Sequence, residues 1–451
     1  MNRDRLPVFD RRRAGVLLPM SALEAALGRG GRACIDWLAA AGFSVWQILP
    51  AGPVGADFSP YWVRSDCAGN PGFLDPGELP DPQAPIGADF LAASSAWLQD
   101  YALFEALTRT HGGTPFWRWP VPLRDREPRA LEQARRALGT EVERIEREQY
   151  AFWVQWQRLR DYAHERGVRL FGDLPFYVGP SSVETWAHRE LFQLAPGGEP
   201  AKVGGVPPDY FSELGQLWGN PVYDWQALQR TDFSWWLTRV RVQLQRLDLL
   251  RVDHFRALAA YWAVPAGAPD ARGGAWLTTP GAELLQRLRT EFRDLPLVAE
   301  DLGVITDDVL ALKHGFALPG MKVLQFGFDG DPGNPHVPYR VERDCVTYTG
   351  THDNDTTLGW YASLDAVGRG RVDDYLGSSE PMPAALIRAV LSSVAQLAVV
   401  PVQDLLGLGT EARFNTPGTS SGNWVWRLPP HALSDELARH CAQLNRTYGR
   451  A

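Results

Sequence analysis

The chain has 451 residues, of which 45% are hydrophobic, 22% charged and 11% aromatic, with 45 basic against 53 acidic side chains and a net charge of −8. That composition describes an ordinary folded protein and excludes disorder, a collagen-like repeat and a disulfide-knotted miniprotein. It offers a polyanion no broad basic face, so nucleic acid is excluded as the main partner and a neutral or weakly polar ligand is expected.

In chain order, the charged amino terminus Met1–Arg13 is followed by an apolar run, Gly15–Met20, too short for a signal peptide. Short apolar or β-branched runs then recur as predicted strands: Gly15–Leu18, Ser44–Leu49, Val168–Leu174, Leu249–Asp253, Leu297–Glu300, Lys322–Phe326, Cys345–Thr349 and Leu397–Val402. Near-continuous apolar runs, as opposed to alternating ones, are expected of parallel strands buried on both faces. Helical patterns lie between several of them, at Gly31–Ala41, Ala151–Arg166, Gly281–Phe292 and Pro383–Leu397.

Strand–helix repetition of this kind predicts a parallel α/β fold, and eight strands match a (β/α)8 barrel better than a doubly wound open sheet. The long gaps after the second and third strands predict inserted subdomains at about 54–150 and about 179–245, with no separate C-terminal β-sandwich. The whole of 1–451 then reads as one barrel. The first gap holds a charged segment, Arg124–Glu148, expected to present a solvated helical face.

Four cysteines stand far apart, at 34, 67, 345 and 441, without metal-finger spacing. They predict buried thiols and a reducing, cytoplasmic setting. The most apolar helical stretch, Ala389–Val402, is interrupted by Ser392, Ser393 and Gln396, so no membrane partner is expected.

In a barrel of this class the reactive groups sit at the carboxyl ends of strands. Those ends here read Gly172-Asp173-Leu174-Pro175, Arg251-Val252-Asp253-His254-Phe255-Arg256, Ala299-Glu300-Asp301-Leu302-Gly303 and Thr349-Gly350-Thr351-His352-Asp353-Asn354-Asp355. Acidic groups therefore gather at one mouth, which is costly unless they share a proton or serve an electron-poor centre. Metal binding is one use of such a cluster, but no HxH, HExxH or EF-hand spacing accompanies it, so no metal and no organic cofactor are expected. Glycosyl transfer is the other: one carboxylate attacks an anomeric carbon while a second, with raised pKa, protonates the leaving oxygen. The aromatic residues Tyr61-Trp62, Tyr210-Phe211, Trp218 and Trp360-Tyr361 suit the C–H faces of pyranose rings.

With these residues go further stretches: Trp46-Gln47-Ile48-Leu49-Pro50, Ser59-Pro60-Tyr61, Ala68-Gly69-Asn70-Pro71, Gly205-Val206-Pro207-Pro208-Asp209-Tyr210-Phe211, Gly215-Gln216-Leu217-Trp218-Gly219-Asn220-Pro221, Gln403-Asp404-Leu405-Leu406-Gly407, Asn415-Thr416-Pro417-Gly418-Thr419 and Asn423-Trp424. Taken together and in order, from about Arg12 to Arg450, they resemble the amylomaltase or disproportionating-enzyme family. These are the 4-α-glucanotransferases of glycoside hydrolase family 77 in the α-amylase superfamily.

The resemblance implies Asp253 as nucleophile, Glu300 as general acid and then base, and Asp353 as the third acid that binds and distorts the reacting sugar. It implies Tyr61 as an aromatic platform and His352 as a donor to sugar hydroxyls, with Asn354 beside them. Asp209, Tyr210 and Phe211 would lie in a lid, Trp218 would stack on the glucan or anchor that lid, and Asp173 would be largely architectural. Arg251, two residues before Asp253 and so on the same strand face, is placed to keep Asp253 ionised. His254 faces the opposite way, and Asn220, Asn423 and Trp424 read as scaffold.

The implied partners are a maltooligosaccharide or α-glucan donor and a glucose or glucan acceptor. The oligomeric state is left open. The chain departs from the family at Met20–Gly28, where the family has a longer Gly/Pro-rich loop, and at Phe58, Trp62, Ser181-Ser182-Val183-Glu184 and Tyr339. These departures bear on glucan subsites and leave the three acids in place. An α-glucan hydrolase with the same acids and a catalytically silent glucan-binding protein stand as the alternatives.

Overall fold

The computed structural model describes residues 8–208, 212–377, 379–419 and 421–451. Eight parallel strands form a nearly closed barrel: β1 (Arg13–Leu17), β2 (Val45–Gln47), β3 (Arg169–Leu174), β6 (Leu249–Val252), β9 (Leu297–Ala299), β10 (Gly320–Val323), β11 (Cys345–Tyr348) and β12 (Leu397–Pro401). They pair in chain order, with β12 returning to β1, as in the register Arg13 opposite Leu397 and Val16 opposite Val400. At the remaining seam the Ala299 N–H donates to the Pro319 carbonyl at 2.8 Å and brings β9 beside β10.

Every strand expected from an apolar run is found. The run at Lys322–Phe326 is displaced, because the strand ends at Val323 and Leu324–Phe328 coils into a 3-10 turn. Likewise the helix expected at Pro383–Leu397 ends at Ser392, since Leu397 is the first residue of β12.

Side-chain alternation along each strand builds two cores. Leu17, Val45, Phe171, Leu249, Val298, Met321, Val346, Tyr348 and Val399 fill the barrel interior, with Val8 and Phe9 packed among them. Val16, Trp46, Leu170, Leu250, Val252 and Ala398 face the surrounding helices. On β3 the outward Gly172 is required by a close approach: a Cβ there would lie 2.2 Å from Leu247 Cδ1. All four cysteines are buried free thiols. No helix among the described residues is long and apolar enough to cross a membrane.

Between β2 and β3 the chain forms helices Leu98–Thr110, Pro128–Ala137 and Gly139–Glu165, among shorter ones. Tyr101, Phe104, Phe116, Trp119, Leu131, Ile145 and Trp186 make a separate core there. Helix Gly139–Glu165 serves both regions. Its first half gives Ile145 to that core, and its second half gives Phe152, Trp156 and Leu159 to the barrel.

A second, antiparallel sheet takes β4 (Lys202–Val206) and β5 (Gln216–Pro221) from the segment after β3, and β7 (Ala260–Pro265) and β8 (Ala275–Thr278) from the segment after β6, in the order β5-β4-β7-β8. The apolar-run criterion does not reveal these strands because they lie at the surface, as the exposed Leu217 and Trp276 show. Helix Ser234–Arg246, between β5 and β6, packs Trp236, Leu237 and Val240 into the core around the barrel.

The two insertions are tied to the barrel by the fully buried Arg239. Its guanidinium pairs with Asp66 at 2.7 Å and donates to the Phe176 carbonyl at 3.1 Å. A buried carboxylate left without its cation is strongly destabilising. Arg239→Met is therefore expected to cost about 3–5 kcal/mol, read as a fall in the apparent thermal unfolding midpoint. Adding Asp66→Leu should recover part of that loss, and an unchanged midpoint in the single variant would show that the pair does not carry this junction.

Candidate active site

The barrel strands that point acids and a base into the mouth are β3, β6, β9 and β11. On β3 and β6 the inward positions run Phe171–Asp173 and Leu249–Arg251–Asp253, so polar groups begin where the apolar interior ends. Arg251 is 3% exposed and Asp173 equally buried. The guanidinium reaches Asp173 with Nη1 at 2.7 and 2.8 Å, and Asp253 Oδ1 with Nη2 at 2.8 Å. One cation thus orients two carboxylates from adjacent strands.

After Asp253 the backbone enters the left-handed region at His254, φ +49°. That conformation is uncommon for a non-glycine residue. Here the His254 N–H is donated to Glu300 Oε2 at 2.7 Å, while the Leu302 N–H is donated to Oε1 at 2.9 Å. Together with the Glu300 N–H to the Val252 carbonyl, 3.1 Å, these bonds place Glu300 beside Asp253 at the same mouth.

Burial raises both acids, and Glu300 moves further. Desolvation pushes Glu300 up to about 8, with the Asp253 charge adding to the rise and Arg251 opposing it. Asp253 rises to about 6, chiefly by desolvation, with its direct Arg251 contact opposing. The ordering follows from contact: Asp253 touches the guanidinium, whereas Glu300 holds only backbone N–H groups. Near neutrality the proton therefore sits on Glu300 and the charge on Asp253.

The loop after β11 supplies the third acid. Asp353 Oδ1 accepts from Asn415 Nδ2 at 2.6 Å, its backbone carbonyl accepts from Arg413 at 2.6 Å, and its Oδ2 lies 3.3 Å from His352 Nε2. Tyr61 joins this loop to β3: its hydroxyl donates to Asp173 Oδ2 at 2.7 Å and lies 2.7 Å from His352 Nε2. Because the phenol has one proton and gives it to Asp173, hydrogen-bond bookkeeping puts a proton on His352 Nε2. Burial lowers the His352 pKa and keeps the imidazole neutral, and burial with the Asp173 charge holds the Tyr61 phenol protonated. The Tyr61 and His352 rings stack at 5.4 Å, and Trp424 packs against both at 5.8 and 6.0 Å.

The structure thus brings together Asp253, Glu300, Asp353, Arg251, Asp173, Tyr61 and His352. Trp218 lies close by, its indole edge-on to His254 at 4.7 Å and its N–H on Gln216 at 3.1 Å. Asn354 turns inward, its amide oxygen accepting the Thr351 N–H and hydroxyl, both at 2.9 Å. Asp209, Tyr210 and Phe211 lie outside the described residues.

Sequence reasoning assigned no role to Asn415, Arg413 or Asp404. Asp404 is buried and accepts from the Thr349 hydroxyl at 2.5 Å and from the Thr357 N–H and hydroxyl, both at 2.7 Å, so it straps both ends of the loop that carries His352 and Asp353. Asp404 and Asn415 fall inside distinctive sequence stretches, which was the available signal; their targets, 47 to 62 residues away in the chain, are fixed only by the fold. Among the described residues, no group of three or more His, Cys, Asp or Glu side chains has the arrangement to hold a metal ion.

An ionised acid next to a protonated one, with flanking donors for hydroxyls, is competent for attack on an acetal carbon with proton donation to the departing oxygen.

Comparison with known proteins places this geometry. The glycoside hydrolase 77 family, described as 4-alpha-glucanotransferase, matches residues 19–88 and 80–434. The 4-alpha-glucanotransferase of Synechocystis is 43% identical over 500 residues, spanning 98% of this chain and 99% of its own length. That of Thermus thermophilus is 44% identical over 461 residues, spanning 91% and 92%. The structure of the Streptococcus agalactiae amylomaltase in complex with acarbose superposes with a TM-score of 0.93 at 30% identity, over 98% of this chain and 100% of that one.

The two raised acids fix a pH profile. Activity that needs Asp253 ionised rises as pH increases through about 6, and activity that needs Glu300 protonated falls as pH passes about 8. A plot of kcat/KM against pH should show both limbs; an acid limb near 4 would mean that Asp253 is solvated as an ordinary carboxylate.

Proposed function

The chain belongs to glycoside hydrolase family 77, the 4-α-glucanotransferases, and from that premise we propose the following division of labour in its cleft. The enzyme breaks an α-1,4 bond of one glucan and re-forms it on another. Asp253 is the nucleophile: its carboxylate attacks the anomeric carbon of the donor sugar as Glu300 transfers its proton to the glycosidic oxygen. The shortened sugar leaves, and a glucosyl ester on Asp253 remains. Glu300, now a carboxylate, takes the proton of an incoming 4-hydroxyl, whose oxygen displaces Asp253. Two inversions retain the anomeric configuration, and one bond broken balances one bond formed without external electrons or a cofactor.

The observation that carries this reading is the placement of two adjacent buried acids, Asp253 on the Arg251 guanidinium and Glu300 on backbone N–H groups alone, with desolvation raising Glu300 the further. Such a pair in a retaining enzyme is expected about 5–5.5 Å apart. Asp353, held by Asn415, and the neutral His352 are assigned to the hydroxyls of the reacting sugar. Tyr61 lies under that sugar, and Asp173 acts through Arg251 and Tyr61 as a positioning residue. Donor and acceptor are maltooligosaccharides or longer α-glucans, with glucose as the smallest acceptor.

Transfer prevails over hydrolysis when an acceptor is held in attack geometry and water is kept out. The packed Tyr61, His352 and Trp424 rings and the indole of Trp218 are suited to both tasks.

Incubation with maltotriose tests the reading. Transfer redistributes it into glucose and a ladder of longer chains with a constant number of reducing ends. Glucose release matched one for one by new reducing ends would identify a hydrolase instead. Asp253→Ala should lower turnover by about 10³-fold or more with the fold retained. An unchanged product profile in Asp253→Ala would remove Asp253 as nucleophile, and no conversion of maltotriose by either the wild type or the variant would favour a silent glucan-binding protein.

A further inference from the structure

We propose that the indole of Trp62 is a rigid stacking platform for glucose units beyond the reacting one, and so sets the preference for longer donors; this rests on the glucan-binding reading of the cleft. Trp62 follows Tyr61, the ring that joins Asp173 to His352. Unlike Tyr61, it is 40% exposed.

Three segments fix it. Its indole N–H donates to Asn220 Oδ1 at 3.2 Å, and the buried Asn220 is itself anchored through Nδ2 to the Val178 carbonyl at 2.8 Å, in the loop after β3. Against the Cζ2–Cη2 edge of the ring lies Gly219, φ +77°, where a Cβ would stand 3.0 Å from Cζ2 and 3.2 Å from Cη2 of the indole. Val63, next along, pairs with Val54 across an isolated bridge, and its carbonyl lies against Gly179. Positions 219 and 179 leave the indole and its backbone room that any side chain there would take away.

An aromatic ring that is held along one edge while 40% of the residue stays exposed has already lost its rotational freedom, so a ligand stacking on it incurs no further cost for ordering. The exposed indole surface is apolar, and the N–H on the ring edge is already engaged. That combination suits the C–H face of a neutral pyranose better than a charged or hydrogen-bond-dominated ligand. Trp62 adjoins Tyr61 in the chain, and its partner Asn220 is two residues from Trp218, whose indole packs on His254 beside Asp253, so the platform is assigned to the rim of the same cleft, beyond the reacting sugar.

The competing explanation is that Trp62 merely bolts its loop to β5 through Asn220. The two differ in how the effect depends on chain length and on retention of the ring. Trp62→Ala and Trp62→Phe would be assayed with maltotriose and with maltoheptaose as sole substrates. Loss of the platform should lower kcat/KM for maltoheptaose about tenfold, through KM, and for maltotriose less than about twofold. Trp62→Phe keeps a ring without the N–H and should stay within about threefold of the wild type on both.

Equal losses on both substrates, Trp62→Phe behaving like Trp62→Ala, or no loss on either would each overturn the platform. Disproportionation of maltotriose by the wild-type protein, measured alongside, tests the function reading separately.

Discussion

The cleft depends on one buried cation. Arg251 lies at the level where the barrel interior stops being apolar, between Asp173 on β3 and Asp253 at the end of β6. Withdrawal from water pushes Asp253 toward its protonated form, and Arg251 opposes that rise. The guanidinium, being planar and multiply donating, fixes where both carboxylates point. From Asp173 the order passes to Tyr61, from Tyr61 to His352, and from His352 to the Asp353 loop. The third acid is thus located by a chain of hydrogen bonds that begins at Arg251.

The same cation separates the two reacting acids by contact. Both are desolvated, so both are pushed toward the neutral form. Only Asp253 is compensated by a direct ion pair, while Glu300 receives two backbone N–H bonds that hold its orientation without matching the loss of solvation. The left-handed turn at His254 belongs to this arrangement: it carries the chain away from Asp253 while aiming an N–H at Glu300. A strained residue directly after a reactive one is where such a cost is expected to persist.

The barrel was legible because its strands are buried on both faces and so announce themselves as apolar runs ending in polar residues. Asp253, Glu300 and Asp353 stand out for the same reason: each follows such a run. The antiparallel sheet was not legible, since β4, β5, β7 and β8 are short, partly exposed and rich in glycine at Gly204 and Gly205, and they come from two separate segments. Nor were the partners of Asp353. Asn415 is 62 residues further on and touches it only because the chain after β12 folds back over the mouth. Asp404 shows the same limit: a buried carboxylate at the start of a short helix has no local pattern that names Thr349 and Thr357 as its donors.

This difference in legibility has a chemical counterpart. Bond making and breaking needs positions held to a fraction of an ångström, and strand ends in a packed barrel provide them because the register of β3, β6 and β9 is fixed by ladders and by interior packing. Trp62, Trp218 and Asn220, by contrast, lie on the long segments between barrel strands, where placement is looser. The departures from the family pattern at Phe58, Trp62, Ser181 and Tyr339 all fall outside the barrel strands, away from the strand ends that carry Asp253 and Glu300.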